Sequence, residues 1–211
     1  MVNRSHWRRA STWAVISAAL FIYVCVIMLA DKAGFIDDTI IRRVQSWESP
    51  DLTSVMETFT WLGSTLVVTV IALVAIVLLA VFLGHRKELL LFIVVVGGAP
   101  LLNKLLKSIF ERERPSLHRI VEEAGYSFPS GHSMAAFALY GVLTYLLWRH
   151  VTNAWGRVLM IVLGLGLTLC IGVSRVYLGV HYPSDVIAGY LVSGAWLGAA
   201  IEVFERTTRR R

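Results

Sequence analysis

Ser174 and Arg175 are followed, after five residues, by His181 and, after three more, by Asp185. Upstream stand Pro129-Ser130-Gly131-His132 and, further back, Lys107, which precedes Arg114-Pro115 by six intervening residues. If His181 begins the turn into a helix, a carboxylate four residues later shares its face. Asp185 can then accept from one imidazole nitrogen, fix the tautomer and leave the other nitrogen's lone pair free to attack. Gly131 lets the backbone approach a ligand, and the first amides of the helix that follows point at an anion, so this turn can cradle phosphate oxygens. Lys107, Arg114 and Arg175 supply the positive charge that the equatorial oxygens of a transferring phosphoryl group require. Together these residues suffice to take a phosphoryl group onto a histidine without a metal.

Each element has a plainer account when taken alone. A His and Asp four apart can be a structural hydrogen bond, Ser130 can be a helix N-cap beside a polar histidine, and Lys107 and Arg114 can be basic residues snorkelling at the end of a span. All three accounts would have to hold at once, in the right order and on one side of a membrane. The combination therefore outweighs its parts.

The elements that position these residues are apolar. The chain has 211 residues, 56% hydrophobic and 16% charged, against about 25% charged in soluble domains. Runs near the length that crosses about 30 Å of hydrocarbon fall at Trp13 to Ala30, Trp61 to Leu83, Leu89 to Leu106, Met134 to Trp148, Val158 to Val173 and Val186 to Phe204. The expectation is an all-α bundle of six transmembrane helices forming a single integral-membrane domain over residues 1–211, with no linker or repeat to divide it. The first run is too long for the apolar stretch of a signal peptide. Between the first two runs, Phe35, Ile36, Ile40, Val44 and Trp47 alternate with Asp37, Asp38, Arg42 and Arg43. That pattern fits a short amphipathic helix, either lying in the interface or packed on the bundle.

The net charge of +6 does not mark a nucleic-acid binder, because the surplus is not gathered on one polar face. It follows positive-inside bias instead, with Arg4, Arg8, Arg9, Arg86, Lys87, Arg149, Arg157, Arg206, Arg209, Arg210 and Arg211 on the cytoplasmic side. Both termini are then cytoplasmic. The loop from Lys104 to His132 falls outside, where its basic residues serve an anionic substrate. Cys25 and Cys170 read as packing residues in apolar runs, and their spacing suggests neither a disulfide nor a metal site. Gly194 and Gly198 form a small-xxx-small pair, read as packing within the bundle rather than between copies. The oligomeric state stays open.

The three signatures stand in full as K-x6-R-P over Lys107 to Pro115, P-S-G-H over Pro129 to His132, and S-R-x5-H-x3-D over Ser174 to Asp185. In this the chain closely resembles the type 2 phosphatidic acid phosphatase superfamily. The resemblance implies a six-helix membrane core, cytoplasmic termini and an extracytoplasmic active-site loop. It also implies a bacterial lipid phosphatase acting on phosphatidic acid, phosphatidylglycerophosphate or undecaprenyl pyrophosphate, with no cofactor and no metal. By the same resemblance His181 is the nucleophile that becomes phosphohistidine, Asp185 orients it, and His132 protonates the leaving oxygen, while Lys107, Arg114, Ser130, Gly131 and Arg175 hold the phosphate. Two alternatives stay open at this level: a lipid phosphotransferase, in which an alcohol intercepts the phosphohistidine, and a carrier or sensor that binds lipid phosphate without cleaving it.

Overall fold

The computed structural model describes residues 5–82, 86–148 and 150–209, all of whose regular structure is helical. Eight helices follow in order: α1 (Ser5–Leu29), α2 (Gly34–Gln45), α3 (Pro50–Leu62), α4 (Thr65–Phe82), α5 (Arg86–Phe110), α6 (Gly131–Trp148), α7 (Ala154–Tyr177) and α8 (Pro183–Arg209). Arg4, Arg149, Arg210 and Arg211 of the orientation argument lie outside the described residues, as does Leu83 at the end of the second predicted span.

Among the described residues four helices are long and apolar enough to cross a membrane, over Ala10–Leu29, Lys87–Phe110, Ala154–Tyr177 and Pro183–Thr208. The pair α3 and α4 makes a fifth when taken together, bent by 50°. The outward faces carry large exposed apolar side chains, such as Leu66, Val81, Leu101 and Trp155, on a scale that water-soluble monomers do not show. The structure differs from the sequence expectation at two places. The second predicted span is broken at Gly63 and preceded by an unexpected helix, which starts where Ser49 accepts from the Leu52 amide and Pro50 takes the first turn. The fourth predicted span, α6, with 18 residues, is not among the helices that meet the length and hydropathy of a membrane crossing. It packs against α5, α7 and α8, so it is under less demand for lipid-facing hydrophobicity.

The core lies between α4, α5, α6 and α8, where Phe92, Val95, Ala138, Leu139, Val142 and Leu146 are buried. In lipid such packing is held by close contact rather than by exclusion of water. α1 lies chiefly along α8, and Gly194 and Gly198 allow it: a Cβ at 198 would stand 2.9 Å from the Ala14 Cβ, and one at 194 would stand 3.2 Å from Ser17 Oγ. The small-residue pair therefore serves intramolecular packing, as expected. The amphipathic helix is present as α2, but Asp37, read as part of its polar face, is 2% exposed and turned inward. The lower end of α5, the start of α6, the end of α7, the start of α8 and the buried side of α2 all converge at one end of the bundle.

Candidate active site

The turn between α7 and α8 sets His181. Gly179 adopts φ +75°, and a Cβ there would stand 1.9 Å from the His118 carbonyl oxygen, so only glycine fits. His181 follows, fully buried. Arg114 Nη1 lies 3.2 Å from His181 Nε2, and a guanidinium can only donate, so Nε2 accepts and the proton sits on Nδ1. Nδ1 faces Asp185 Oδ2 and Ser127 Oγ, each at 3.4 Å. The lone pair of Nε2 thus points toward the cations, in the tautomer the sequence argument required.

Asp185 is equally buried and is held on both oxygens. Oδ1 accepts from Arg112 Nη1 at 2.6 Å; Oδ2 accepts from the Tyr182 amide at 2.9 Å and from the Ser127 hydroxyl. Arg112 also reaches Asp37 Oδ2 at 2.9 Å and Ser184 Oγ at 2.7 Å, and it lies 3.9 Å from the centre of the Tyr182 ring. Asp37 receives the Ser184 amide and hydroxyl as well, at 2.9 and 2.5 Å. An unpaired carboxylate taken out of water costs several kcal/mol, so Asp37 and Asp185 depend on Arg112. This guanidinium joins α2, through Asp37, to Asp185. Sequence reasoning missed Arg112, Asp37, Ser127 and Ser184. Arg112 lay among the unspecified positions between Lys107 and Arg114, and its only signal was a basic residue placed beside two that had been assigned.

A testable consequence is that Arg112→Lys keeps the charge but loses the fork that bridges two carboxylates. The expected result is a fall in kcat on the order of 10- to 100-fold, the usual effect of loosened positioning, with KM changed much less. Steady-state phosphate release at several substrate concentrations separates these two effects, and a loss confined to KM would contradict the positioning role.

Arg114 is a hub for the loop over residues 111–130. Its Nε donates to the Gly125 carbonyl at 2.9 Å and its Nη1 to the Val180 carbonyl at 2.8 Å; its Nη2 pairs with Glu123 Oε1 at 3.0 Å and approaches the Ala124 carbonyl at 3.2 Å. Burial draws its pKa below the usual arginine range, against the opposing charge of Asp185. Arg175 donates from Nη1 to Thr60 Oγ1 and pairs through Nη2 with Glu123 Oε2. Lys107, Glu123, Gly131 and His132 line one cavity of about 440 Å³ that continues between α4, α5 and α6 past Thr69, Ala72, Phe92 and Gly97. Gly63, at the break between α3 and α4, also lines it, and a Cβ at that position would come within 3.3 Å of His132 Cδ2.

Every predicted site residue is therefore at the same end of the bundle. Ser130 is placed less as an open phosphate ligand than as a joint. Its amide donates to the Asp185 carbonyl at 3.1 Å, and its hydroxyl accepts from Ser133 Oγ at 3.0 Å and from the Ser133 amide at 3.4 Å. The N-cap account thus holds for this side chain. The amides of Gly131 and His132 precede any intrahelical acceptor and remain the ones that can meet an anion.

Burial lowers the pKa of His181 from the ordinary 6.5 to about 3; the Asp185 hydrogen bond and charge oppose this, and the charges of Arg175 and Arg114 add to it. The histidine is thus neutral, as a nucleophile must be. Between pH 6.5 and about 3 the unfolded chain binds a proton here that the folded chain refuses. The stability this group contributes is complete above 6.5 and is lost as pH falls toward 3. Detergent-solubilised protein should lose stability more steeply than a His181→Gln variant as pH falls from 6 to 4. Thermal unfolding at a series of pH values measures it, and parallel curves for the two proteins would contradict it.

An all-helical bundle with helices of membrane-crossing length, carrying a buried imidazole and two buried guanidinium groups beside an apolar cavity that half-buried His132 and Lys107 line, has the make-up of a membrane phosphatase. Residues 88–209 match the family model described as the PAP2 superfamily. The chain is 33% identical over 198 residues to phosphatidylglycerophosphatase B of Bacillus subtilis, covering 91% of this chain and 96% of that one. It is 42% identical over 72 residues to an undecaprenyl-diphosphatase of Sulfolobus acidocaldarius, covering 34% of this chain and 30% of that protein. Among solved structures, the transmembrane PAP2 type phosphatidylglycerolphosphate phosphatase from Bacillus subtilis superposes with a TM-score of 0.87 at 28% identity, over 94% of this chain and 99% of that one. The chain belongs to the PAP2 superfamily. It is a phosphoric ester hydrolase of that superfamily.

Proposed function

We propose that the protein is a metal-independent membrane lipid phosphatase that hydrolyses a lipid phosphomonoester or diphosphate through a phosphohistidine at His181. The observation that carries this reading is the continuity of Asp185, His181, Arg114, Glu123 and Arg175 with a cavity whose polar end holds His132 and Lys107 and whose far end is hydrocarbon-like. A phosphate at the polar end leaves its lipid tail among α4, α5 and α6, which avoids exposing CH2 groups to water at about 0.8 kcal/mol each.

In this scheme Lys107, Arg114, Arg175 and the Ser130-Gly131 turn hold the phosphate. His181 Nε2 attacks phosphorus as the bond to the lipid oxygen breaks, and His132 delivers a proton to that oxygen. Water, deprotonated by His132, then attacks the phosphohistidine and releases inorganic phosphate. Asp185 keeps the Nδ1 proton in place throughout. We further propose that α6 completes a six-span bundle forming one domain, with both termini cytoplasmic and the site at the outer face. The relatives named above point to phosphatidylglycerophosphate and undecaprenyl diphosphate as substrates to compare.

The test is a phosphate-release panel in detergent over phosphatidic acid, phosphatidylglycerophosphate, undecaprenyl pyrophosphate and a soluble sugar phosphate, with and without chelator. The expected outcome is release from at least one lipid, undiminished by chelator, with label from the substrate recovered as inorganic phosphate. A strict divalent-metal requirement, or label recovered only in a second lipid, would overturn the reading.

A further inference from the structure

Glu123 was assigned no role by its sequence position, yet it stands where an anionic substrate would. One carboxylate oxygen pairs with Arg114 Nη2 at 3.0 Å and the other with Arg175 Nη2. Both arginine side chains are 3% exposed, whereas the Glu123 side chain is 29% exposed. The carboxylate also lines the same cavity as Lys107, Gly131 and His132. A carboxylate spanning two guanidinium groups makes the contacts a phosphate makes, with less charge and fewer oxygens. His181 is meanwhile fully buried with its Nε2 against Arg114, so the site is closed with Glu123 in place.

We infer that Glu123 is a displaceable plug in the phosphate site, and that it sets the charge a ligand must carry to enter. The inference rests on the reading of the site as a phosphate site. Lys107, Arg114 and Arg175 gathered in apolar surroundings repel one another when no anion is present. Glu123 neutralises part of that charge in the empty enzyme. It can leave by rotation about its own side-chain bonds, since the backbone around it is held separately by Arg114 at the Ala124 and Gly125 carbonyls.

The consequence is selectivity. A membrane is crowded with phosphodiester headgroups, each bringing one negative charge, the same as the carboxylate they would replace. A phosphomonoester or diphosphate brings more charge and more acceptor oxygens, so it displaces Glu123 where a phosphodiester does not. The plug keeps bulk phospholipid out of the site by competition rather than by shape.

The experiment compares wild type, Glu123→Gln and Glu123→Asp as full chains in detergent. Inorganic phosphate binding is followed by calorimetry, and phosphate release is measured with phosphatidylglycerol added as a phosphodiester competitor. E123Q is expected to bind phosphate about 10-fold more tightly, the effect of about 1.4 kcal/mol of removed competition, and to become sensitive to phosphatidylglycerol where wild type is not. Weaker or unchanged phosphate binding in E123Q would show Glu123 to be a scaffold for the two arginines and overturn the plug. Should E123Q fail to fold, E123D, one carbon shorter, decides by the same sign. Phosphate binding is read without turnover, so a wild type that cleaves no lipid sinks the proposed function while leaving the plug testable. A wild type that cleaves lipid beside an E123Q of unaltered phosphate affinity sinks the plug alone.

Discussion

Replacing His181 with Ala is expected to lower phosphate release by on the order of 10⁴-fold or more, as removal of the proposed covalent nucleophile would. The size of the expected effect follows from the geometry. His181 Nε2 is the nitrogen that carries a lone pair; its partner nitrogen is committed to Asp185 and Ser127, and the ring is sealed from solvent. Among the described residues the nearby serines are not free to take its place: Ser127 is tied to Asp185, and Ser130 is tied to Ser133. His181→Gln keeps much of the shape and is expected to be as inactive as His181→Ala, which separates loss of the attacking nitrogen from loss of packing. Comparing the two variants by initial rate, with thermal unfolding to check the fold, measures the effect. Activity within tenfold of wild type in either would contradict the assignment.

The second large effect is expected at His132. On the proposed mechanism its loss removes general acid catalysis, worth about 10²- to 10⁴-fold, and does so selectively. A lipid alkoxide needs a proton to depart, whereas an aryl phosphate with a nitrophenolate leaving group does not. His132→Ala should therefore lose far more activity toward a lipid phosphate in its first step than toward the aryl ester. Burst kinetics with the aryl ester resolve that step: one rapid equivalent of phenolate, then slow turnover as the phosphohistidine waits for a base to activate water. Equal losses on both substrates with no burst would show His132 to be a binding group only. Its position favours the larger role. It opens α6 beside the cavity shared with Lys107, close to the break at Gly63, where added side-chain bulk would press on the ring.

Legibility differed between site and scaffold. His181, Asp185, Arg175, Arg114, Lys107 and His132 could be read because phosphoryl chemistry constrains their types and spacing together. Their arrival at one end of the bundle followed from each standing at the end of an apolar run. Arg112 and Asp37 could not be read, because a bridge between α2 and the start of α8 depends on which face of α2 turns inward, and period alone put Asp37 on the polar face. Glu123 was silent for a related reason: a carboxylate in a loop looks like a solvated residue until its two arginine partners, contributed by the loop itself and by α7, are placed. The break in the second span was partly visible in Ser49-Pro50 and Gly63-Ser64, but a continuous hydropathy window runs over such signals. The inner helix α6 was read as a span like the others, although its neighbours screen it from the demand that shapes lipid-facing helices. Ser130 shows a role the motif did not announce, since a residue assigned to the phosphate also serves as a cap and a tie to Asp185.

The measurement closest to the central claim is rapid-quench labelling with a nitrophenyl phosphate carrying radioactive phosphorus, applied to wild type, His132→Ala and His181→Ala, followed by peptide mapping. The account predicts label that survives base and is lost in acid, enriched in the His132→Ala protein, located on the peptide containing His181 and absent from His181→Ala. Label on another residue, or no protein-bound phosphate in His132→Ala while an aryl phosphate is being turned over, would contradict it.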